Sequence, residues 1–456
     1  MKEYDVIVIG SGSGTIIVNE ALMEGLKVAL VDKGPLGGTC LNVGCIPSKM
    51  LIYPADVIAE IQEAKKLGIT AEIKNIDFNS IMDRMRRSVQ EGQDHMRRGI
   101  RNSRNLDFYE AEGHFIEDYT MEVKGEKIRG EKIFIVAGAR PSIPPIKGID
   151  KIDYLTNESV LRLNKGPKSM AIVGGGYIAA EYGHFFAAMG TKVTIVQRNI
   201  RLIPDEEPEI SELLKREMGK RMDIYTNTEV IKVERKGDNA IVVGMDRDTG
   251  GERSFEAEKV LVATGRTSNA DLLKVENTGV ETDERGFIKV NEYLETNREN
   301  IWALGDIIGK EMFRHVANRE AGLAWHNSMH EHRVKMDYLA APHAVFSHPQ
   351  IASVGLTEEQ AKKNYRILVG KAKYSDVAKG EAMMEEEGFA KAIVERDSGK
   401  ILGFHIIGPE APTLIQEVIN AMANGEDIWS INQGMHIHPA LPELIQATLQ
   451  NLTESH

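Results

Sequence analysis

Cysteine is scarce in this chain of 456 residues, which contains only Cys40 and Cys45. So few thiols exclude a small fold held together by disulfides, and they are typical of proteins from a reducing compartment. Long hydrophobic runs are also lacking. The most apolar stretch, 170–196, is interrupted by Glu181 and His184, and no segment approaches the roughly 20 apolar residues that a membrane helix needs. We therefore expect no membrane partner.

The chain also lacks an excess of basic charge. The chain has 56 Lys and Arg against 68 Asp and Glu, a net charge of −12, which argues against nucleic acid as a partner. The apolar run 6–9 near the N-terminus is too short for a signal peptide, so we expect a cytoplasmic protein. At about 150 residues per domain, the length predicts about three domains.

Hydrophobic periodicity predicts two βαβ units, each with a glycine cluster between its first strand and its helix. The predicted strand, helix and strand are 4–9, 16–24 and 27–32 in the first unit and 170–173, 178–189 and 191–197 in the second. Between the units, 55–104 is helical in pattern and 108–136 alternates like a small antiparallel sheet. After residue 340 the pattern predicts a separate α+β domain. The fold class is therefore α/β.

The first glycine cluster has the spacing of a dinucleotide-binding turn. Gly10 and Gly12 occupy the first two glycine positions, Thr15 stands at the third, and Asp32 follows Gly10 by 22 residues at the end of the next strand. Such glycines let the backbone approach a diphosphate at a helix N-terminus, and the carboxylate can bind a ribose. The alternative is a glycine-rich turn that serves packing alone.

The second cluster repeats the pattern, with Gly174 and Gly176 at the glycine positions. An NAD-selective site would carry a carboxylate at the end of the following strand, but Arg198 stands there with Arg201 nearby. Because arginine binds phosphate through charge-assisted hydrogen bonds, the sequence favours the 2′-phosphate of NADPH. NADH use, with both arginines as surface charges, is the alternative.

The two cysteines lie five positions apart, which favours a joint chemical role. Pro47 suits the first turn of a helix, and a helix N-terminus lowers the pKa of a nearby thiol, so we expect Cys45 to be a thiolate and Cys40 the exposed exchanging thiol. A dithiol passes on two electrons by thiol–disulfide exchange. Two buried structural cysteines are the alternative. A zinc site would want four ligands, and we predict no metal site.

One histidine near the C-terminus has a suitably spaced carboxylate. His438 precedes Glu443 by five residues, and a carboxylate at that distance can orient an imidazole as a base for Cys40. His436 is the competing candidate.

In chain order, these motifs resemble those of the FAD-dependent pyridine nucleotide–disulfide oxidoreductases; they are 37–49, the two glycine turns, 263–266, 303–306 and 438–443. The resemblance covers essentially the whole chain. It implies two Rossmann-like domains, for FAD and for NAD(P), and a C-terminal α+β dimerisation domain. The implied boundaries are 1–145 with 266–338 for FAD and the redox disulfide Cys40–Cys45, 146–265 for NAD(P) and 339–456 for dimerisation.

The resemblance also implies roles for individual residues. The catalytic residues would be Cys40, Cys45, His438, Glu443, Lys49 and Glu181. The residues in contact with FAD or the nicotinamide dinucleotide would be Gly10, Gly12, Asp32, Thr39, Lys49, Gly113, Gly138, Asp306, Gly174, Gly176, Tyr177, Arg198, Arg201 and Gly265. Lys49 and Glu181 would pair near the flavin, and Tyr177 would cover the nicotinamide site. In such enzymes the histidine serves the partner subunit's cysteines, which implies a homodimer with shared active sites.

Within the family, the sequence favours a mycothione reductase-like enzyme that passes electrons from NADPH through flavin and the Cys40–Cys45 dithiol to a low-molecular-weight disulfide. Mercuric reductases and large thioredoxin reductases carry additional C-terminal redox groups that this sequence lacks, and soluble transhydrogenases lack the cysteine pair. Dihydrolipoyl dehydrogenase, which oxidises dihydrolipoamide with NAD+, is the alternative, because 45–49 and 203–204 resemble that enzyme too. A catalytically silent flavoprotein is a third possibility, against which the retained dithiol and histidine argue.

Overall fold

The computed structural model describes residues 1–454 and divides the chain into two compact units. The first consists of Met1–Met50, Met82–Ser142 and Gly265–Met336, and the second of Leu51–Ile81, Ile143–Thr264 and the chain from Asp337. The second unit thus contains the predicted NAD(P) and dimerisation domains together, as well as 51–81, which the resemblance assigns to the FAD domain. The three-domain boundaries stay a prediction.

The helices of the two units are as follows in chain order: α1 (Gly14–Met23), α2 (Gly38–Asn42), α3 (Cys45–Glu63), α4 (Phe78–Asn102), α5 (Tyr177–Ala188), α6 (Pro208–Met218), α7 (Ala270–Leu273), α8 (Arg314–Met329), α9 (Glu358–Lys362), α10 (Ala378–Ala382), α11 (Ala411–Leu414), α12 (Gln416–Ala423), α13 (Ile428–Asn432) and α14 (Glu443–Gln450).

The strands are β1 (Lys2–Ile9), β2 (Val28–Asp32), β3 (Leu106–Glu110), β4 (Gly113–Glu117), β5 (Thr120–Val123), β6 (Glu126–Ile135), β7 (Ala139–Pro141), β8 (Ser169–Val173), β9 (Lys192–Val196), β10 (Asp223–Tyr225), β11 (Thr228–Lys236), β12 (Asn239–Asp246), β13 (Glu252–Ala257), β14 (Lys259–Val262), β15 (Arg266–Ser268), β16 (Ile301–Ala303), β17 (Pro342–Val345), β18 (Ile351–Gly355), β19 (Ile367–Lys373), β20 (Phe389–Glu395), β21 (Ile401–Ile407) and β22 (Thr453–Glu454).

The first unit is built on a sheet whose parallel strands lie in the order β3-β2-β1-β6, with β16 also paired to β6. Residues 6–9 of β1 are all buried, as expected for a parallel strand covered on both faces. Because β1 and β2 are parallel, their carboxyl ends meet at the same edge of the sheet. This arrangement brings the Gly10 turn beside Asp32.

Up to residue 454, the second unit contains three sheets. A parallel sheet has the order β10-β9-β8-β14, with α5 connecting β8 to β9. An antiparallel sheet, β11-β12-β13, follows in the chain, and an antiparallel sheet of order β17-β18-β21-β20-β19-β22 forms the C-terminal part. The predicted α/β class and both predicted βαβ units are confirmed.

Two local expectations need correction. The helical pattern of 55–104 is two helices, since α3 ends at Glu63 and α4 begins at Phe78, and Gly68 between them takes a left-handed φ of 81°. In 108–136, β4, β5 and β6 are antiparallel as predicted, but β3 pairs in parallel with β2. No helix among residues 1–454 is long and apolar enough to cross a membrane.

Candidate redox site and nucleotide-binding turns

The first glycine turn forms a backbone cradle at the N-terminus of α1. Gly10 has φ 108°, and a Cβ there would lie 2.3 Å from the Val136 carbonyl oxygen, so only glycine fits. The backbone N–H of Ser11 donates to Asp32 Oδ2 at 2.6 Å. Gly12 has room for an incoming group, since a Cβ there would meet nothing closer than 3.7 Å. These features fit the diphosphate and ribose of a dinucleotide.

The cysteine-bearing segment packs directly on this turn. Gly37 has φ 102°, its N–H donates to Ser11 Oγ at 2.9 Å, and a Cβ on it would lie 2.4 Å from the Leu41 side chain. A Cβ on Gly38 would lie 2.8 Å from the Cα of Gly12. The two motifs, separate in sequence, are therefore one structural site.

Asn42 stabilises the same segment through hydrogen bonds to its backbone, a role that the sequence reasoning missed. Its side-chain amide donates to the carbonyl oxygens of Pro35, Leu36 and Gly38 at 3.0, 2.9 and 2.9 Å, and its Oδ1 accepts from Gln93 at 2.7 Å. Burial of this asparagine requires such partners. No signal in the sequence pairs Asn42 with Gln93, because the contact depends on the position of α4.

Cys40 lies in α2 and Cys45 is the first residue of α3, and as thiols the two side chains are hydrogen-bonded to each other. The hydrogen bond from Cys45 is the main cause that lowers the pKa of Cys40 to about 6, and the positive charges of Arg314 and Lys49 act in the same direction. The pKa of Cys45 is raised well above its usual value by the same hydrogen bond and by burial. The reduced pair therefore holds one thiolate near neutral pH.

The roles of the two cysteines depend on more than the helix that carries Cys45. The sequence predicts a Cys45 thiolate and an exposed Cys40; Cys45 is the more exposed residue, whereas the pair shares one proton through its hydrogen bond, so the assignment of the thiolate to Cys45 stays a prediction. The expectation considers only the N-terminus of α3. It cannot include Arg314, which the tertiary fold brings from the start of α8 and whose charge favours the Cys40 thiolate.

The C-terminal histidine and glutamate are in contact. Nδ1–H of His438 donates to Glu443 Oε1 at 2.8 Å, and the Ala440 N–H donates to Glu443 Oε2 at 3.0 Å. These two hydrogen bonds lower the pKa of Glu443, the one from Ala440 more strongly. Since a carboxylate only accepts, Nε2 of neutral His438 keeps its lone pair. The side chain of His438 is 70% exposed, whereas His436, the competitor, is 6% exposed and bonded to Glu417.

The second glycine turn has the geometry of the first. Gly174 has φ 112°, and a Cβ there would lie 2.2 Å from the Ala263 carbonyl oxygen. Gly176 precedes α5, and a Cβ on it would meet no atom of residues 1–454 within 4 Å, so its face is accessible. The Gly175 carbonyl accepts the Ile203 N–H at 2.7 Å, which ties the loop after β9 to the turn.

The arginines predicted to select NADPH lie in that loop, but neither is enclosed. Arg198 is exposed, and Arg201 Nε lies 3.8 Å from Glu212. Arg247, which sequence reasoning missed, donates to the Arg198 carbonyl at 3.2 Å. It reaches the loop from the connection between β12 and β13, and because the two arginines are far apart in the chain, no sequence signal predicts this contact.

The other predicted FAD contacts fall into two groups. Asp306 is largely buried, which raises its pKa, and Arg266 Nε lies 3.3 Å from it without a hydrogen bond of its own, so a polar group could be bound there. Gly138 and Gly265 have φ of 67° and 109° and open space on their Cβ side. Gly113 differs, because hydrophobic side chains lie 3.1–3.4 Å from its Cβ position, as in a packed core.

The remaining predicted residues lie on helices that carry these turns. Thr39 is half-buried in α2, and Lys49 lies in the first turns of α3. Tyr177 is the first residue of α5, and the buried Glu181 on that helix accepts the Phe346 N–H at 3.1 Å. Lys49 belongs to the first unit and Glu181 to the second, and their pairing stays a prediction.

The chain matches known protein families and solved structures over most of its length. A family model described as pyridine nucleotide-disulphide oxidoreductase matches residues 4–321, and the model of that family's dimerisation domain matches residues 341–449. A solved structure of the HOCl-induced flavoprotein disulfide reductase RclA from Escherichia coli superposes with a TM-score of 0.87 at 27% identity, covering 98% of this chain and 99% of that one.

Curated relatives align over nearly the whole chain. Mycothione reductase of Mycobacterium tuberculosis is 37% identical over 99% of this chain and 100% of its own length, and a dihydrolipoyl dehydrogenase of Bacillus subtilis is 34% identical over 97% and 95%. A mercuric reductase of Staphylococcus aureus is 34% identical over 93% of this chain and 78% of its own. The chain therefore belongs to the pyridine nucleotide-disulphide oxidoreductases, enzymes that use FAD and NAD(P)H.

Proposed function

We propose that this protein is an NADPH-dependent reductase of a low-molecular-weight disulfide, of the mycothione reductase type. The observation that carries the proposal is the hydrogen-bonded Cys40–Cys45 pair, which is seated on a dinucleotide turn and holds one thiolate near neutral pH. The full-length similarity to mycothione reductase supports the substrate class. The proposed location is the cytoplasm, where reducing conditions keep such a dithiol cycling.

The chain's own residues provide the binding surfaces. Gly10, Gly12 and Asp32 would hold the diphosphate and ribose of FAD, and Asp306 would bind its central part. When bound, FAD carries two electrons from the nicotinamide to the cysteine pair. Gly174 and Gly176 would admit the diphosphate of the nicotinamide cofactor, with Tyr177 above its ring and Arg198 and Arg201 beside the 2′-phosphate.

The thiol chemistry follows from the geometry of the pair. One thiolate attacks a sulfur of the substrate disulfide, which forms a mixed disulfide and releases one substrate thiolate. The second cysteine, as thiolate, then attacks the enzyme sulfur of that mixed disulfide, closes Cys40–Cys45 and releases the other substrate thiolate. The two electrons thus leave the enzyme with the two substrate thiols.

Protons for the leaving thiolates would come from His438. Its Nδ1–H is fixed by Glu443, so Nε2 can take the proton of the second cysteine as that thiol becomes a thiolate, and can return it to a leaving substrate sulfur. We propose that this histidine acts on the cysteines of a second copy in a homodimer. The match to the family's dimerisation domain and the exposure of His438 support this arrangement.

Dihydrolipoyl dehydrogenase activity is the second candidate. The exposed Arg198 and the Arg201–Glu212 contact leave the 2′-phosphate subsite open, which favours NAD(H) use more than a closed arginine pocket would. Relatives of that activity also align over 97% of this chain.

A steady-state panel separates the two candidates. NADPH and NADH are each assayed with mycothiol-type disulfide, glutathione disulfide, bis-γ-glutamylcystine, coenzyme A disulfide and lipoamide. We expect the highest kcat/KM for NADPH with a low-molecular-weight disulfide. If lipoamide with NADH exceeds every other pair by about tenfold, the proposal is wrong and dihydrolipoyl dehydrogenase replaces it.

A further inference from the structure

A group of polar side chains around the buried His184 in the second unit lies outside the residues that the reaction uses. It consists of Asp56 and Glu63 from α3, His184 from α5, Arg221 from the segment after α6, and His348 from the segment between β17 and β18. His184 is completely buried, although it is ionisable. Such groups are retained only when their hydrogen bonds are satisfied.

The hydrogen bonds fix both the tautomer and the charge of His184. Arg221 Nη1 lies 3.0 Å from Nδ1, and because a guanidinium only donates, Nδ1 must accept. Nε2 then carries the proton and donates to Asp56 Oδ1 at 2.8 Å. Burial lowers the pKa of His184, in agreement with a neutral ring. Arg221 in turn has Asp56 and Glu63 as its main opposite charges.

Arg221 and His184 also hold the segment 346–348. Arg221 Nη2 donates to the His348 carbonyl oxygen, and the His184 and His348 rings stack with centroids 5.6 Å apart. His348 Nε2 donates to Glu63 Oε1 at 2.8 Å, which lowers the pKa of Glu63 to about 2. The segment is therefore held by its carbonyl, its ring face and its ring N–H.

The same segment contacts a residue proposed for catalysis. The Phe346 N–H, two residues before His348, donates to Glu181 Oε1 at 3.1 Å, and Glu181 lies one turn before His184 on α5. We infer that Arg221 and His184 are positioning residues that hold segment 346–348 so that its Phe346 N–H orients the Glu181 carboxylate. This inference rests on the proposed function and on the pairing of Glu181 with Lys49 near the flavin, which the family resemblance implies.

The first test measures the segment itself and does not depend on activity. In hydrogen–deuterium exchange of the full-length, FAD-loaded protein, Arg221→Met should make the amides of 346–348 exchange about tenfold faster, the change that loss of one charge-assisted hydrogen bond produces. Arg216→Met is the matched control, because Arg216 is an exposed arginine of α6 in surface ion pairs. Unchanged exchange at 346–348 in Arg221→Met would overturn the inference.

The second test asks whether the effect passes through Glu181. The rate of flavin reduction by NADPH is measured anaerobically in Arg221→Met, in Glu181→Gln and in the double variant. We expect each single variant to be slower by about tenfold, as misplacement of a reacting-site group commonly produces, and the double variant to equal Glu181→Gln. Additive losses would show a general structural role and overturn the inference.

Substitutions of His184 keep the test decisive if Arg221→Met folds poorly. His184→Gln retains a donor for Asp56 and an acceptor for Arg221, so its amide exchange at 346–348 and its rate of flavin reduction should stay close to those of the wild type. His184→Phe has neither group and should behave like Arg221→Met. Equal behaviour of His184→Gln and His184→Phe contradicts the inference.

Two further outcomes separate this inference from the proposed function. Wild-type flavin reduction in Glu181→Gln overturns the role of Glu181 and this inference with it. Failure of the disulfide panel leaves this test intact, because NADPH reduces the flavin without a disulfide.

Discussion

At the residue scale, the reactivity of the thiol pair depends on the few groups that set the pKa of Cys40. Cys40 is half-buried, and burial alone would raise its pKa; the Cys45 hydrogen bond and the charges of Arg314 and Lys49 overcome this effect. Each of these groups belongs to a different element from Cys40: Cys45 and Lys49 to α3, Arg314 to α8. The pKa of Cys40 is thus lowered first by Cys45, which follows it closely in the chain, and further by Arg314, which only the tertiary fold brings near.

The contribution of Arg314 can be tested by alkylation. In the reduced protein, the rate of iodoacetamide labelling should rise with pH through a midpoint near 6, because the thiolate is the form present above the pKa of Cys40. Arg314→Met should move that midpoint upward, since a positive charge that favours the thiolate is lost. Peptide mass spectrometry should find the label first on Cys40.

Arg319→Met is the matched control, because Arg319 lies exposed on the same helix, α8. Its midpoint should equal that of the wild type. If Arg314→Met also leaves the midpoint unchanged, or if Cys45 is labelled first, the assignment of the thiolate to Cys40 is incorrect.

The preference for NADPH over NADH is also expected to depend on single residues. Arg198→Glu should lower kcat/KM for NADPH by about tenfold or more relative to NADH, because a carboxylate repels a 2′-phosphate and can accept from a 2′-hydroxyl. The ratio of the two kcat/KM values, measured with one disulfide, is the readout. An unchanged ratio would identify Arg198 as a surface charge, and Arg247→Gln would then test the other arginine of this loop.

At the element scale, a buried ion cluster anchors the loop that follows β9. Lys391 on β20 is 5% exposed and contacts Glu207 at 2.8 Å, Glu358 at 2.7 Å and Glu209 at 3.1 Å. Glu207 itself is 2% exposed. The same loop bonds to the second glycine turn through Ile203, so the cluster supports the nucleotide-binding turn from the side of the C-terminal sheet.

Removal of this lysine should therefore be strongly destabilising. Lys391→Met leaves three carboxylates without their shared cation, and breaking a buried ion pair costs about 3–5 kcal/mol. We expect a clearly lower urea midpoint for unfolding. Lys371→Met is the control, because Lys371 also contacts Glu209 but is half-exposed, and an exposed pair contributes about 1 kcal/mol or less. Equal midpoints for the two variants would show that the cluster adds no net stability.

At the scale of the whole molecule, the proposed chemistry needs two copies of the chain. Neither His438→Ala nor Cys40→Ser homodimers should turn over well, because each lacks one component at both active sites. Random reassortment puts about half of the dimers in the mixed state, with one complete site of two, so the mixture should recover about a quarter of wild-type activity if His438 acts on the partner's cysteines. Co-expression followed by steady-state assay measures this recovery.

A mixture of Cys40→Ser and Cys45→Ser is the control for that experiment. Both changes affect the same dithiol, so mixed dimers contain no complete pair and should stay inactive. If mixed His438→Ala and Cys40→Ser dimers form, as shown by tagged pull-down, yet activity stays at the level of the parents, then His438 does not act between subunits.

The sequence by itself determined the local features of this protein. Gly10, Gly174 and Asp32 were identifiable because a backbone turn with a positive φ and a strand-end carboxylate depend on neighbours within one βαβ unit. The His438–Glu443 contact was identifiable for the same reason, since five residues separate the pair. Such short-range patterns also fixed the α/β class.

Only the tertiary structure decided which distant groups meet. It placed Arg314 close enough for its charge to lower the pKa of Cys40, and it brought Gln93 to Asn42 and Arg221 to His184. These contacts arise from the packing of helices and strands tens to hundreds of residues apart in sequence. Periodicity reports which face of an element is buried, but the charge that faces a given thiol is set by the packing of the whole fold.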